Sequence, residues 1–236
     1  GDWSSDVCSS DLKKPTLTKK QRHRLRVQQV RRQKIFLTCL FLLIVGCILL
    51  RFSKFSGRQK ETHQINAACE AYRDEVSSEA AQYDMSDYVD LILAVMMQES
   101  SGQGTDPMQS SEGAYNTRYP QQPNGITDPS YSISCGIQEL KYALEKAVCT
   151  GPTDLSKIRL ALQAYNFGAD SYFAYLEENG QTVWTTQSAQ AFAQMASGNT
   201  QRDEDDPLHD PAGPWDYGDQ YYPDHVLRYY HLDNNS

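Results

Sequence analysis

Regular alternation of apolar and polar residues is nearly absent from this 236-residue chain. Only Gln181–Trp184 carries it, which excludes sandwich and barrel architectures and leaves room for at most a minor β-hairpin. Internal repeats are lacking, so solenoids and propellers are excluded as well. No CxxC pair and no His/Cys spacing of a zinc site occurs, and the acidic run Asp203-Glu204-Asp205-Asp206 lacks the alternating ligand spacing of an EF-hand loop. No metal and no cofactor is therefore implied. Of the 6 cysteines, Cys8 lies in an anomalous first stretch and Cys39 and Cys47 in an apolar run. That leaves Cys69, Cys135 and Cys149, an odd number for a disulfide framework. A helix between Cys135 and Cys149, rising about 1.5 Å per residue, holds those two beyond bridging distance unless the chain bends back, and Cys69 with either one stays open. A Cys–His nucleophile built from Cys135 with His225 or His231 would need strands that the pattern does not supply.

Charge is distributed very unevenly. The net charge of −8 hides 14 Lys/Arg against 3 Asp/Glu in residues 1–60, and 8 against 27 in the remainder. The two parts thus face different surroundings. Gly1 to Leu12 has no initiator Met, no hydrophobic periodicity and an abrupt change of composition at its end, and it reads as a segment foreign to the natural protein. Residues 13–34 carry ten Lys/Arg and no acid, followed by sixteen uncharged residues, Ile35 to Leu50. Residues 35–52 read as one transmembrane helix, with Arg51 able to snorkel, and the excess of positive charge before it places the N-terminus in the cytoplasm. No small-x-small cleavage site follows. Ile44-Val45-Gly46-Cys47 looks like a lipoprotein box, but aliphatic residues follow the cysteine where polar ones are expected. A basic run beside a membrane span is explained by orientation and anionic lipid, so no nucleic-acid partner is implied. The expectation is a single-pass protein of the cell membrane, with residues 53–66 as a linker and 67–236 as an exported, essentially all-α domain with one core.

In that domain Ala67 to Gln82 reads as a surface helix. Asp84 and Ser86 are cap candidates for the next helix, and Gly102 and Gly104 mark its end. Along this helix Tyr88, Leu91, Ile92, Val95 and Met96 recur at the spacing of a buried face, and Glu99 falls on the same stripe. A glutamate aimed at its own core resists ionisation, and at the C-terminal end of a helix the dipole pushes the same way. Such a carboxyl group is suited to general-acid catalysis. Thr105 to Tyr131 is a long loop rich in Tyr, Gln and Asn, a composition suited to binding sugars. Helices are expected over Ser134 to Val148, over Ile158 to Asn166 with Asp154 or Ser156 as cap and Gly168 as stop, over Ser171 to Glu178, and over Thr186 to Met195. Gln201 to Pro214 reads as a solvated acidic loop, and Tyr217 to Tyr230 ends in a last short helix.

Four short motifs occur in order: Gln98-Glu99-Ser100, Asp106-Pro107-Met108-Gln109-Ser110-Ser111-Glu112, Ser132-Ile133-Ser134-Cys135-Gly136-Ile137-Gln138, and Ala164-Tyr165-Asn166-Phe167-Gly168. With Tyr217-Gly218-Asp219 and Val226-Leu227-Arg228-Tyr229-Tyr230, they resemble the lysozyme-like domain of Gram-positive cell-wall hydrolases carried by conjugative elements, within the lytic transglycosylase and goose-type lysozyme superfamily. The resemblance covers Ala67 to Tyr230. It implies cleavage of the β-1,4 bond between N-acetylmuramic acid and N-acetylglucosamine in peptidoglycan, with Glu99 as catalytic acid and Ser100, Gln109, Gln138, Tyr165 and Asn166 binding substrate. The implied partners are glycan strands, the membrane through the N-terminal helix, and the components of a conjugation or type IV secretion apparatus. The alternative is a weak or inactive peptidoglycan-binding component of such an apparatus. Two features depart from the family: its best-known members continue into a cysteine-peptidase module whereas this sequence ends at Ser236, and the acidic stretch Gln201 to Asp216 has no evident counterpart. Hydrolysis needs a second carboxylate, as nucleophile or as activator of water, whereas transglycosylation does not. Glu112, Asp106 and Asp128 are near in sequence, and nothing at this level chooses among them.

Overall fold

The computed structural model describes residues 63–232. The expected foreign segment, the basic segment, the transmembrane helix and most of the linker lie outside the described residues. Within them, no helix is long and apolar enough to cross a membrane.

The described chain is helical. In order it forms α1 (Ala67–Glu70), α2 (Arg73–Gln82), a 3-10 turn (Ser86–Tyr88), α3 (Val89–Glu99), α4 (Pro129–Lys146), α5 (Leu155–Phe167), α6 (Ala169–Glu178), α7 (Thr186–Ala196), α8 (His209–Ala212) and α9 (Tyr222–Leu227). No strand occurs among the described residues. The alternating stretch Gln181–Trp184 is a connection, and one isolated antiparallel bridge joins Gln201 to Trp215 instead.

The centre of the domain is α3. Leu91, Ile92, Leu93, Ala94, Val95 and Met96 are all fully buried, so this helix is apolar all round rather than on the one expected stripe, as a helix enclosed by others must be. Around it pack α1, α2 and α9, while α5 lies against α4, α6 and α9. Burying a Leu or Ile side chain is worth roughly 1.5–3 kcal/mol, so this hexapeptide alone supplies a large part of what anchors Glu99 at its end.

Local chemistry explains where the other helices begin. Asp128 caps α4 by accepting from the Ser130 and Tyr131 amides, with Pro129 in the first turn, an Asp-Pro start that lengthens this helix at its front relative to the expected Ser134. Its far end is shorter, because Val148 adopts φ 57° and is exposed. Of the two expected candidates it is Asp154 that caps α5, and Gly168 at φ 85° ends it; Leu155 in its first turn is exposed. Thr185 and Ser188 form a reciprocal capping box at α7. The expected Ala67–Gln82 helix is broken at Ala71–Tyr72. Neither Asp84 nor Ser86 caps α3; Tyr88 holds that position without a side-chain bond, and Asp84 sits in the left-handed region at φ 57°.

Cys69, Cys135 and Cys149 are all free thiols. Burial raises the Cys135 thiol above its usual pKa, the opposite of what a nucleophilic cysteine needs.

Candidate active site

Glu99 is the last residue of α3, at the point where the buried helix meets a cleft of about 630 Å³. Desolvation among its neighbours is the main influence on its carboxyl group. It raises the pKa from the usual 4.5 to about 7, helped by the negative charges of Asp219 and Asp106 and opposed by a hydrogen bond from Tyr222. The donor is the Tyr222 hydroxyl and the acceptor Glu99 Oε1. Tyr222 is itself buried at the start of α9, so the contact between α3 and α9 that closes the core also positions the acid. A carboxyl group in this state carries a proton through much of the range near neutrality and can still release it.

The cleft runs from Glu99 between the long loop, the C-terminal half of α4 and the junction of α5 with α6. Gln109, Glu112, Tyr115, Glu139, Tyr142, Tyr165, Asn166 and Tyr217 line it. Tyr165 donates to the Met108 carbonyl at 2.9 Å, which fixes its ring, and that ring stacks 6.3 Å from Tyr222. Asn166 Oδ1 accepts from the Asp219 amide at 2.7 Å, leaving its Nδ2 as the group it can offer a ligand. The Tyr217 hydroxyl donates to the Phe167 carbonyl at 3.0 Å and Gln163 Nε2 to the Asp219 carbonyl at 2.8 Å. The sequence-distant Tyr217-Gly218-Asp219 segment is thereby sewn to the end of α5. At Gly218 (φ 50°) a Cβ would fall 2.7 Å from the Phe167 ring, so only glycine lets the segment approach this closely.

The long loop is ordered around one buried acid. Asp106 Oδ1 accepts from the Ser110 amide at 3.1 Å and the Ser132 hydroxyl at 2.6 Å, while Oδ2 accepts from the Ser111 amide at 3.2 Å and the Ser111 hydroxyl. Ser132 Oγ in turn accepts from the Met108 amide, and Ser111 Oγ from the Ile126 amide. These bonds hold Gln109 at the cleft edge in a left-handed conformation, φ 48°.

Four of the six residues singled out from the sequence meet in this cleft: Glu99, Gln109, Tyr165 and Asn166. Ser100 is not among its lining residues. Its hydroxyl donates to the Pro107 carbonyl at 2.8 Å and accepts from the Gly102 amide at 3.0 Å, tying the helix end to the loop. Gln138 is also outside the lining and points along its own helix, donating to the Ser134 carbonyl at 3.1 Å. Gln109 spends its Nε2 on the Asp106 carbonyl and on Asn124 Oδ1, so its Oε1 is what it presents. Among the acids weighed from sequence, Asp106 is occupied as the loop's hub, Asp128 caps α4, and Glu112 lies exposed at the cleft. Two residues that sequence reasoning missed are Tyr222 and Glu139. Glu139 shares helical spacing with the cleft residue Tyr142, whereas Tyr222 lies 123 residues from its partner and no local pattern announces it.

The acidic stretch is organised by a cation. Arg202 is buried and donates to the carbonyls of Gly213 at 2.6 Å, Gly218 at 2.8 Å, and Trp215. Among the described residues no group of His, Cys, Asp and Glu is arranged to hold a metal.

Comparison with known proteins follows the same outline. A family model described as Lysozyme-like matches residues 67–230. The chain is 35% identical over 169 residues to the bifunctional muramidase/DL-endopeptidase CwlT of Bacillus subtilis, covering 72% of this chain and 44% of that protein. It is 40% identical over 115 residues to the uncharacterized membrane protein YocA of the same organism, covering 47% of this chain and 45% of that one. A pneumococcal vaccine antigen A homolog of Streptococcus pyogenes is 37% identical over 110 residues, covering 47% and 50%. The chain thus spans about half the length of these curated relatives. A crystal structure from Staphylococcus aureus, described as similar to a lipoprotein of the NLP/P60 family, superposes with a TM-score of 0.61 at 27% identity, covering 74% of this chain and 56% of that one.

Proposed function

The chain belongs to the lysozyme-like family, and from that premise we propose that it is a peptidoglycan glycosidase cleaving the β-1,4 bond between N-acetylmuramic acid and N-acetylglucosamine, with Glu99 as its general acid. The observation that carries this reading is the carboxyl group itself: it ends a buried helix, opens on a cleft, and has a pKa raised to about 7. A relative named as a muramidase, 35% identical over most of this chain, supports the substrate class.

In this mechanism the glycan lies along the cleft with its scissile oxygen against Glu99. Glu99 gives its proton to that oxygen as the bond from C1 of the muramic acid residue breaks, so the leaving sugar departs with a neutral hydroxyl. The resulting carboxylate accepts the hydrogen bond from the Tyr222 hydroxyl, which stabilises the charge at the moment it forms. Tyr165 offers a ring held by Met108, and Gln109 Oε1 and Asn166 Nδ2 offer an acceptor and a donor for acetamido and hydroxyl groups.

The apolar run 35–52 after a basic segment supports anchoring in the cell membrane with the catalytic domain outside, where it would open the wall locally for a conjugation or secretion apparatus. The test is digestion of purified peptidoglycan by the protein, with mass analysis of the soluble products. Muropeptides ending in muramic acid, reducing or 1,6-anhydro, are expected. Glycan strands that stay uncut would overturn the proposal, and binding without cleavage would point to the peptidoglycan-binding alternative.

A further inference from the structure

Resting on the glycosidase reading, we infer that Glu139 is the second acid of the reaction, the base that takes a proton from the water attacking C1. Among the described residues, four carboxylates line the cleft: Glu99, Glu112, Glu139 and Asp170. Asp170 is spoken for by the Tyr142 hydroxyl at 2.5 Å and by Lys146. Glu112 is exposed, with nothing enclosing its carboxylate against the cleft. Glu139 differs from both. It is partly exposed at the cleft, yet its Oε1 is buried with no hydrogen-bond partner. A buried acceptor left unpaired costs about 1–3 kcal/mol, and among the described residues only the backbone amides of Tyr115 and Ala114 bear on this carboxyl group as donors.

The surrounding backbone is shaped for this carboxyl group. At Gly113 a Cβ would fall 1.4 Å from Glu139 Oε1 and 2.3 Å from its Cδ, so the loop can pass over the acid only because residue 113 has no side chain. The groups bearing on Glu139 are mostly acidic or neutral: burial raises its pKa to about 7, the charges of Asp106 and Glu99 push the same way, and the backbone amides of Tyr115 and Ala114 offset only part of this. Tyr142 and Tyr165 share the cleft, and the Lys146 ammonium is directed to Asp170. The charge of Glu99 bears on Glu139, and with both carboxyl groups raised toward neutrality one can hold its proton while the other has lost it. That combination is what hydrolysis requires. Glu99 delivers its proton to the leaving oxygen, Glu139 removes one from water, the C1–oxygen bond to the leaving sugar breaks, and a new bond from the water oxygen leaves a free hemiacetal on muramic acid.

The experiment uses the full-length protein on purified peptidoglycan. Wild type is expected to release reducing-end muramic acid, with the new anomeric hydroxyl initially in the inverted α configuration. Glu139→Ala should lower turnover by roughly 10²–10⁴-fold, and added sodium azide should restore it while yielding the α-glycosyl azide. Glu139→Gln, an isosteric change that keeps the fold, should remove the acidic limb of the kcat/KM pH profile while leaving the alkaline limb set by Glu99. Wild-type rates in both variants, or products ending in 1,6-anhydromuramic acid, overturn the assignment. Absence of any release by the wild type itself would instead overturn the glycosidase reading from which it starts.

Discussion

Replacing Glu99 with glutamine should make the protein more stable at alkaline pH, by an amount that follows from the structure. The folded-state pKa of Glu99 is about 7 against an ordinary 4.5, so folding favours the protonated form. Its stabilising contribution is fully present below the unfolded value and is lost as pH rises through the folded one. The gap corresponds to about 3 kcal/mol between roughly pH 4 and pH 8. Glutamine keeps the shape and can accept the Tyr222 hydrogen bond, but it has no proton to lose. Urea denaturation of wild type and Glu99→Gln at the two pH values measures this effect, and repeating the pair in a Glu139→Gln background removes the charge coupling between the two acids. The stability difference should widen in favour of the variant by about 3 kcal/mol as pH is raised over that range. A difference that stays constant with pH would show that Glu99 is solvated like a surface carboxylate, and the general-acid argument would lose its physical basis.

Tyr222→Phe deletes the donor that partly offsets the desolvation of Glu99; the Glu99 pKa should rise further, moving the alkaline limb of the activity profile to higher pH at a stability cost of about 1–3 kcal/mol. Gly113→Ala should cut activity much as Glu139→Gln does, since its Cβ displaces the Glu139 carboxyl group, while circular dichroism keeps the helical signal of wild type. Leu93→Ala in the fully buried α3 should cost about 2–5 kcal/mol in denaturant unfolding. Arg202→Ala removes the donor to three loop carbonyls, and hydrogen exchange should accelerate across residues 201–218 with little change in α3.

The sequence made the helical character of the domain and the position of its acid legible, because both depend on local periodicity. Leu91 to Met96 announce a helix at any level of description, and Glu99 follows them by helical spacing. The Asp154 cap and the Gly168 stop were equally readable, since caps are local chemistry. The start of α4 was missed because Asp128-Pro129 lies inside a stretch whose composition otherwise reads as loop. The alternation at Gln181–Trp184 had no partner strand to pair with, so the backbone there serves as a connection. In the cleft, the Tyr165-Asn166 pair could be read from its motif, whereas Ser100 and Gln138 carry the same kind of motif and have their polar groups engaged within the protein away from the cleft. The acids needed a three-dimensional answer. Asp106 and Glu112 are close to Glu99 in sequence, but one is enclosed by four donors and the other is exposed, while Glu139, forty residues on, keeps one buried oxygen without a partner.

The central claim is that Glu99 transfers a proton to a glycosidic oxygen. The most direct test is the rate of muropeptide release from purified peptidoglycan by wild type and by Glu99→Gln, measured side by side with their binding to the same material. Release that falls to background in the variant while binding persists is the predicted result. Release at the wild-type rate by Glu99→Gln would contradict the account.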